Sequence, residues 1–147
     1  MKKAIQNNTA KMQWIADTYF QEKPVYFSII PDKADFTDAP CLKIDTEQVV
    51  NMVSEKFSGM YIDITETLTL TDYYRTDTHW QQEKLEDTAR VLVSGMGGEL
   101  PENSFEWRTV DGPFRGVLWG RYAKPIEAED VLAYGVNRVT ENAVVRD

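Results

Sequence analysis

One short segment restricts the fold more than any other. Residues 25–30, VYFSII, form a continuous apolar run between Pro24 and Pro31. β-Branched and aromatic side chains in a run of that length suit a strand buried on both faces, as in a parallel sheet. The flanking prolines end regular structure on either side. Ahead of the run, Met12, Ile15, Ala16 and Tyr19 fall at helical spacing and predict an amphipathic helix that stops before Pro24. After it, PDKADFTDAPC reads as a loop. Asp45 or Thr46 then caps a second helix with Val49, Val50, Val53 and Phe57 on one face and Gly59 at its end. MYIDI reads as a second strand. Helix, strand, helix, strand is the alternation of an α/β fold with a parallel sheet. Ligands of such sheets sit outside the carboxyl ends of the strands, so the segment after MYIDI emerges where chemistry is expected.

The chain of 147 residues suits one domain with a real core. Hydrophobic residues at 42% place it among globular rather than disordered chains. A net charge of −8 and scattered basic residues exclude a nucleic-acid partner, because phosphate binding needs clustered Lys and Arg. No stretch has the length of apolar sequence that spans a membrane. No apolar run follows Lys2 and Lys3, so no signal peptide is expected. The single cysteine, Cys41, excludes an internal disulfide and a cysteine-based zinc cluster. It is expected to be a small packing residue. Repeats and low-complexity runs are absent from the sequence.

The segment TDYYRTDTHWQQE, residues 71–83, holds the only histidine. A third helix is expected after it, with Leu85, Ala89, Leu92, Val93 and Met96 as its apolar stripe and Gly97-Gly98 as its stop. Thr78 three residues before Gln81 is a capping-box pattern, which makes His79 the first helical residue. The helix dipole there disfavours imidazolium, whereas a neighbouring carboxylate favours it. A histidine oriented by Asp77 is what a general base requires. The same residues also serve as ordinary helix-start chemistry with a surface histidine. Tyr74 and Arg75 either position a sugar or acyl oxygen beside His79 or are packing and solvated charge. Trp80 is either core or a ligand platform. Asp72, Asp77 and His79 would need further carboxylates to hold a divalent ion.

The last third reads as short strands, FEWRTV, FRGVLWGRYA and DVLAYGV, separated by Asp111-Gly112-Pro113 and by Pro125. Gly116 and Gly120 alternate with Phe114, Leu118 and Tyr122, which suggests a strand approached closely by backbone or ligand. The chain then divides into an α/β part, 1–98, and a β-rich part, 99–147, of a single domain.

DYYRTDTHW resembles the signature of the DHHW family, within the SGNH-hydrolase-like superfamily, and the D-x-H-W arrangement of cell-envelope alginate O-acetyltransferases. Here it reads Asp77-Thr78-His79-Trp80, with Thr78 in place of the first His of the family name. YFSIIPDK and FRGVLWGRYA also resemble family segments. The resemblance implies a flavodoxin-like three-layer α/β sheet and a Ser-His-Asp site that handles esters without a cofactor. Carried over, His79 is the base and Asp77 orients its imidazole; Tyr74, Arg75 and Trp80 beside them are the candidate substrate-binding residues. It implies a glycan or acyl ester as partner and an extracytoplasmic, cell-envelope location.

In these relatives the D-x-H pair precedes a nucleophilic serine in a Gly-Asp-Ser-like turn, and this sequence has no such turn. Ser28 lies in the apolar strand, Ser54 and Ser58 at or after the second helix, and Ser104 in a loop. Ser94 ends a helix, whereas a nucleophile elbow joins a strand to a helix. The expectation is therefore a portion of an ester hydrolase or O-acetyltransferase whose serine lies outside this chain. The alternative is a non-catalytic carbohydrate-binding module. Oligomeric state is open, although a partial sheet would leave an edge for pairing.

Overall fold

The computed structural model describes residues 1–102, 105–122 and 130–137. It is a mixed α/β chain of two compact units, Met1–Glu66 and Thr67–Asp147.

In the first unit, helix α1 spans Lys2–Tyr19. Its inward face is Ile5, Thr9, Met12 and Ala16, at helical spacing. Thr9 is fully buried and satisfies its hydroxyl on the Ile5 carbonyl at 2.9 Å. Ile15 and Tyr19, expected on the apolar stripe, are exposed instead. The buried face therefore runs through Thr9, a polar residue that a hydrophobic stripe does not reveal.

Strand β1, Tyr26–Phe27, pairs in parallel with β2, Met60–Tyr61. The expected parallel pair is present but short, and Ile30 lies outside it, exposed. Helix α2, Thr46–Ser54, is capped by the Asp45 carboxylate, which accepts from the Gln48 N–H at 2.9 Å. Val53 and Phe57 join Ala16 and Phe27 in the core, with the Phe27 and Phe57 rings edge-on at 5.6 Å. Gly59 does not end α2 by a left-handed turn. It makes room for the Phe57 ring, whose Cε1 would lie 2.3 Å from an added Cβ. The loop before α2 contains a 3-10 turn, Lys33–Phe36, with a reciprocal capping box between Asp32 and Asp35. Cys41 is exposed, not a packing residue.

In the second unit, helix α3 spans Glu86–Gly95. Its stop follows expectation: Gly97 takes φ +79°, and the Gly98 and Gly97 N–H groups return to the Val93 and Ser94 carbonyls, each at 2.9 Å. Its start does not. Thr78 caps no helix and His79 is not helical, because the chain bends at 77–79 and passes through a 3-10 turn, Gln82–Lys84, before α3 begins.

Strand β3, Glu106–Thr109, pairs antiparallel with β4, Ala133–Val136, with Trp107 opposite Gly135. Between them, Val117–Arg121 is a short helix, α4, where a strand was expected. Leu118 and Trp119 donate to the Thr76 carbonyl at 2.9 and 3.3 Å, so the start of this turn is anchored to the loop before His79. A local alternation of Gly with large residues could not report that distant anchor. Among the described residues the strands form two two-stranded sheets, and the C-terminal part holds β3, β4 and the short helix α4. No helix among them is long and apolar enough to cross a membrane.

Candidate functional site

The loop around His79 is closed at its base before it does anything else. Thr69 and Asp72 cap a 3-10 turn, Leu70–Asp72, reciprocally; the Asp72 carboxylate accepts from the Thr69 N–H at 2.7 Å. The Gln81 N–H donates to the Asp72 carbonyl at 2.7 Å, and Tyr73 bridges to Trp80 in antiparallel fashion. The Gln81 side chain donates to the Thr71 and Tyr73 carbonyls at 3.1 and 3.0 Å. One step further in, the Tyr74 N–H donates to the His79 carbonyl at 3.0 Å. Residues 74–79 are thus presented as the tip of a fastened loop.

Within that tip the carboxylate of Asp77 is the organising group. Its side chain is 6% exposed, whereas that of His79 is 75% exposed. Asp77 Oδ1 accepts from the His79 N–H at 3.0 Å and lies 2.5 Å from His79 Nδ1. Oδ2 accepts from the Val117 N–H at 2.8 Å, at the first residue of α4. Burial alone would raise the Asp77 pKa. The Val117 N–H, the His79 ring and backbone N–H groups and the imidazole charge outweigh it and hold the pKa at about 2. Asp77 is therefore a carboxylate at neutral pH. A carboxylate accepts only, so it selects the tautomer with the proton on Nδ1. The Nε2 lone pair then points away from Asp77, on an exposed ring.

Two further residues hold this arrangement, and neither was singled out from the sequence. Asp130 accepts from the Arg75 N–H at 2.8 Å, the Thr76 N–H at 2.8 Å and the Thr76 hydroxyl at 3.0 Å. Thr76 is fully buried, and its Oγ1 accepts from the Gly116 N–H at 3.1 Å. Asp130 lies more than fifty positions from its partners, so no local pattern marks it. Gly116 does meet the close approach expected of it, but at a helix start: an added Cβ would sit 2.3 Å from Asp77 Oδ2 and 2.4 Å from its Cβ. Gly120 has nothing within 4 Å of such a Cβ.

A groove of about 290 Å³ opens beside the pair, walled by Tyr74, Trp80, Gln82, Phe114 and Leu132 with Asp77 and His79. Tyr74 is buried and its ring lies 4.8 Å from that of Phe114. Burial, followed by the charges of Glu83, Asp130 and Asp77, raises the Tyr74 pKa, so its phenol stays protonated and can donate. Of the residues expected at the site, Tyr74, Asp77, His79 and Trp80 share this groove. Arg75 does not line it; its side chain is exposed and its N–H serves Asp130.

Among the described residues no three of His, Cys, Asp and Glu come together to hold a metal. The Asp72 carboxylate, considered for such a site, is engaged with Thr69. Among them, too, no serine hydrogen-bonds His79. Ser94 lies in the last turn of α3, Ser28 donates to the Ile62 carbonyl at 2.7 Å, and Ser58 pairs with Gln13. Ser54 ends α2. Ser104 lies outside the described residues. Protein-family models, curated proteins and solved structures contain no match to the chain.

Proposed function

We propose that the second unit carries the Asp-His half of an ester-handling site, with His79 as general base and Asp77 as the group that orients it. The observation that carries this reading is the buried Asp77 carboxylate against Nδ1 of an exposed His79. An imidazole held at Nδ1 by an ionised acid has Nε2 free to take a proton from a hydroxyl or a water. The resemblance of Asp77-Thr78-His79-Trp80 to the DHHW signature favours an SGNH-like ester hydrolase or O-acetyltransferase acting on cell-envelope glycan. In that reading the nucleophilic serine comes from outside this chain, and the surrounding fold is the flavodoxin-like SGNH sheet. Tyr74 and Trp80 line the groove, and aromatic walls suit the apolar face of a sugar ring.

A second reading keeps the groove and drops the turnover. The aromatic walls suit a carbohydrate, and no serine among the described residues reaches His79, which favours a binding module.

The test uses the product of the whole reading frame with 4-nitrophenyl acetate and an O-acetylated polysaccharide. General-base loss in His79→Gln lowers turnover by roughly 10²–10⁴-fold. Equal turnover in His79→Gln and in the unmodified protein would sink the catalytic reading. Saturable polysaccharide binding with no turnover would move the binding module ahead.

A further inference from the structure

A second groove lies in the same unit and is not part of the Asp-His arrangement. It has a volume of about 430 Å³ between the 3-10 turn Gln82–Lys84, α3 and β3. Leu85, Ala89, Leu100, Phe105 and Trp107 make its apolar walls, and the Phe105 and Trp107 rings lie 5.6 Å apart. Every charged residue that lines it, Glu83 and Glu86, is acidic. Glu86 is already paired with Arg90 at 2.8 Å. Glu83 is different: its Oε2 is shielded from solvent and accepts no hydrogen bond. A shielded carboxylate oxygen without a donor is costly, and a cation relieves that cost. Aromatic faces also attract a desolvated cation.

We propose that this groove binds a primary alkylammonium ion, a small organic cation with an apolar stem. The apolar stem lies along Phe105, Trp107 and Leu100. The ammonium group draws the Glu83 carboxylate toward the groove and exchanges its orphaned oxygen for a charge-assisted hydrogen bond. The proposal is independent of catalysis at His79, although Gln82 borders both grooves.

The test is a titration of the ¹⁵N-labelled chain with hexylammonium, hexanol and hexanoate, three probes of matched stem and different charge. Hexylammonium is expected to bind at least about tenfold more tightly than hexanol, with the largest shifts at the Trp107 indole and the Glu83 amide, and hexanoate not to saturate. Glu83→Gln should remove the preference for ammonium and keep the weaker hexanol binding. His79→Gln should bind all three as the unmodified chain does, which separates this site from the catalytic reading. Equal affinity for hexanol and hexylammonium, absence of saturable binding, or an unchanged preference in Glu83→Gln would overturn the proposal. Should Glu83→Gln fail to fold, the comparison of the three probes on the unmodified chain still decides it.

Discussion

Asp77 serves two elements with one carboxylate: Oδ1 faces His79 and Oδ2 faces the start of α4. That double duty explains why Gly116 is where it is. The Asp77 side chain is buried and tied at both oxygens, so it cannot swing away from a methyl group placed 2.3 Å from Oδ2. Gly116→Ala is therefore expected to cost on the order of 1–3 kcal/mol, read as a lower urea midpoint, and to displace the His79 ring resonances. An unchanged midpoint together with unshifted ring signals would show that the site relaxes freely. The Asp77–His79 pairing was legible in the sequence because its two members are two positions apart. The Gly116 contact was legible only as a suspicion of close approach, since its partner is distant in the chain.

Elements are assembled around the site by long-range hydrogen bonds rather than by regular structure. Asp130, just ahead of β4, fastens the residues before Asp77 through three acceptor bonds. Removing it in Asp130→Ala leaves the N–H of the fully buried Thr76 without its partner. A buried donor left unpaired costs roughly 1–3 kcal/mol, so this variant should unfold at lower urea and exchange the Thr76 amide faster. Protection of that amide at the unmodified level would show that another acceptor takes over. Helix α4 illustrates why the last third was misread. FRGVLWGRYA has the glycine and aromatic content of a strand, yet the carboxylate of Asp77 and carbonyl of Thr76 accept from its first N–H groups and stabilise a helical turn. The same lesson holds for Thr78, whose capping pattern was real in sequence but lost to the Tyr73–Trp80 bridge. Local signals located the Asp45 cap of α2 and the glycine stop of α3, because caps and glycine stops act over a few residues, whereas the stripe of α1 was misplaced at Ile15 and Tyr19.

At the scale of the whole molecule, the Asp77 carboxylate links the fold to pH. Its folded pKa of about 2 lies below that of an unfolded aspartate. Its contribution is therefore fully present above about pH 4 and is lost as pH falls from there through about 2. The shift corresponds to roughly 2 kcal/mol. The difference in unfolding free energy between the unmodified chain and Asp77→Asn should be near that size at pH 5 and shrink toward zero near pH 2. A difference that stays constant over this range would mean that Asp77 is not held as the ionised form. The sequence announced a mixed α/β chain correctly, but not its division at residues 66 and 67, because no proline, glycine or charge run marks that point.

The most direct test of the account rests on the chain having one histidine. A long-range ¹H–¹⁵N spectrum of the imidazole, recorded where the ring is neutral, reads its tautomer without ambiguity. A protonated Nδ1 and a bare Nε2 are expected, with Asp77→Asn shifting the population toward the Nε2–H form. A neutral ring protonated at Nε2 in the unmodified chain would contradict this, because the exposed nitrogen would then carry a proton and His79 could not act as the base.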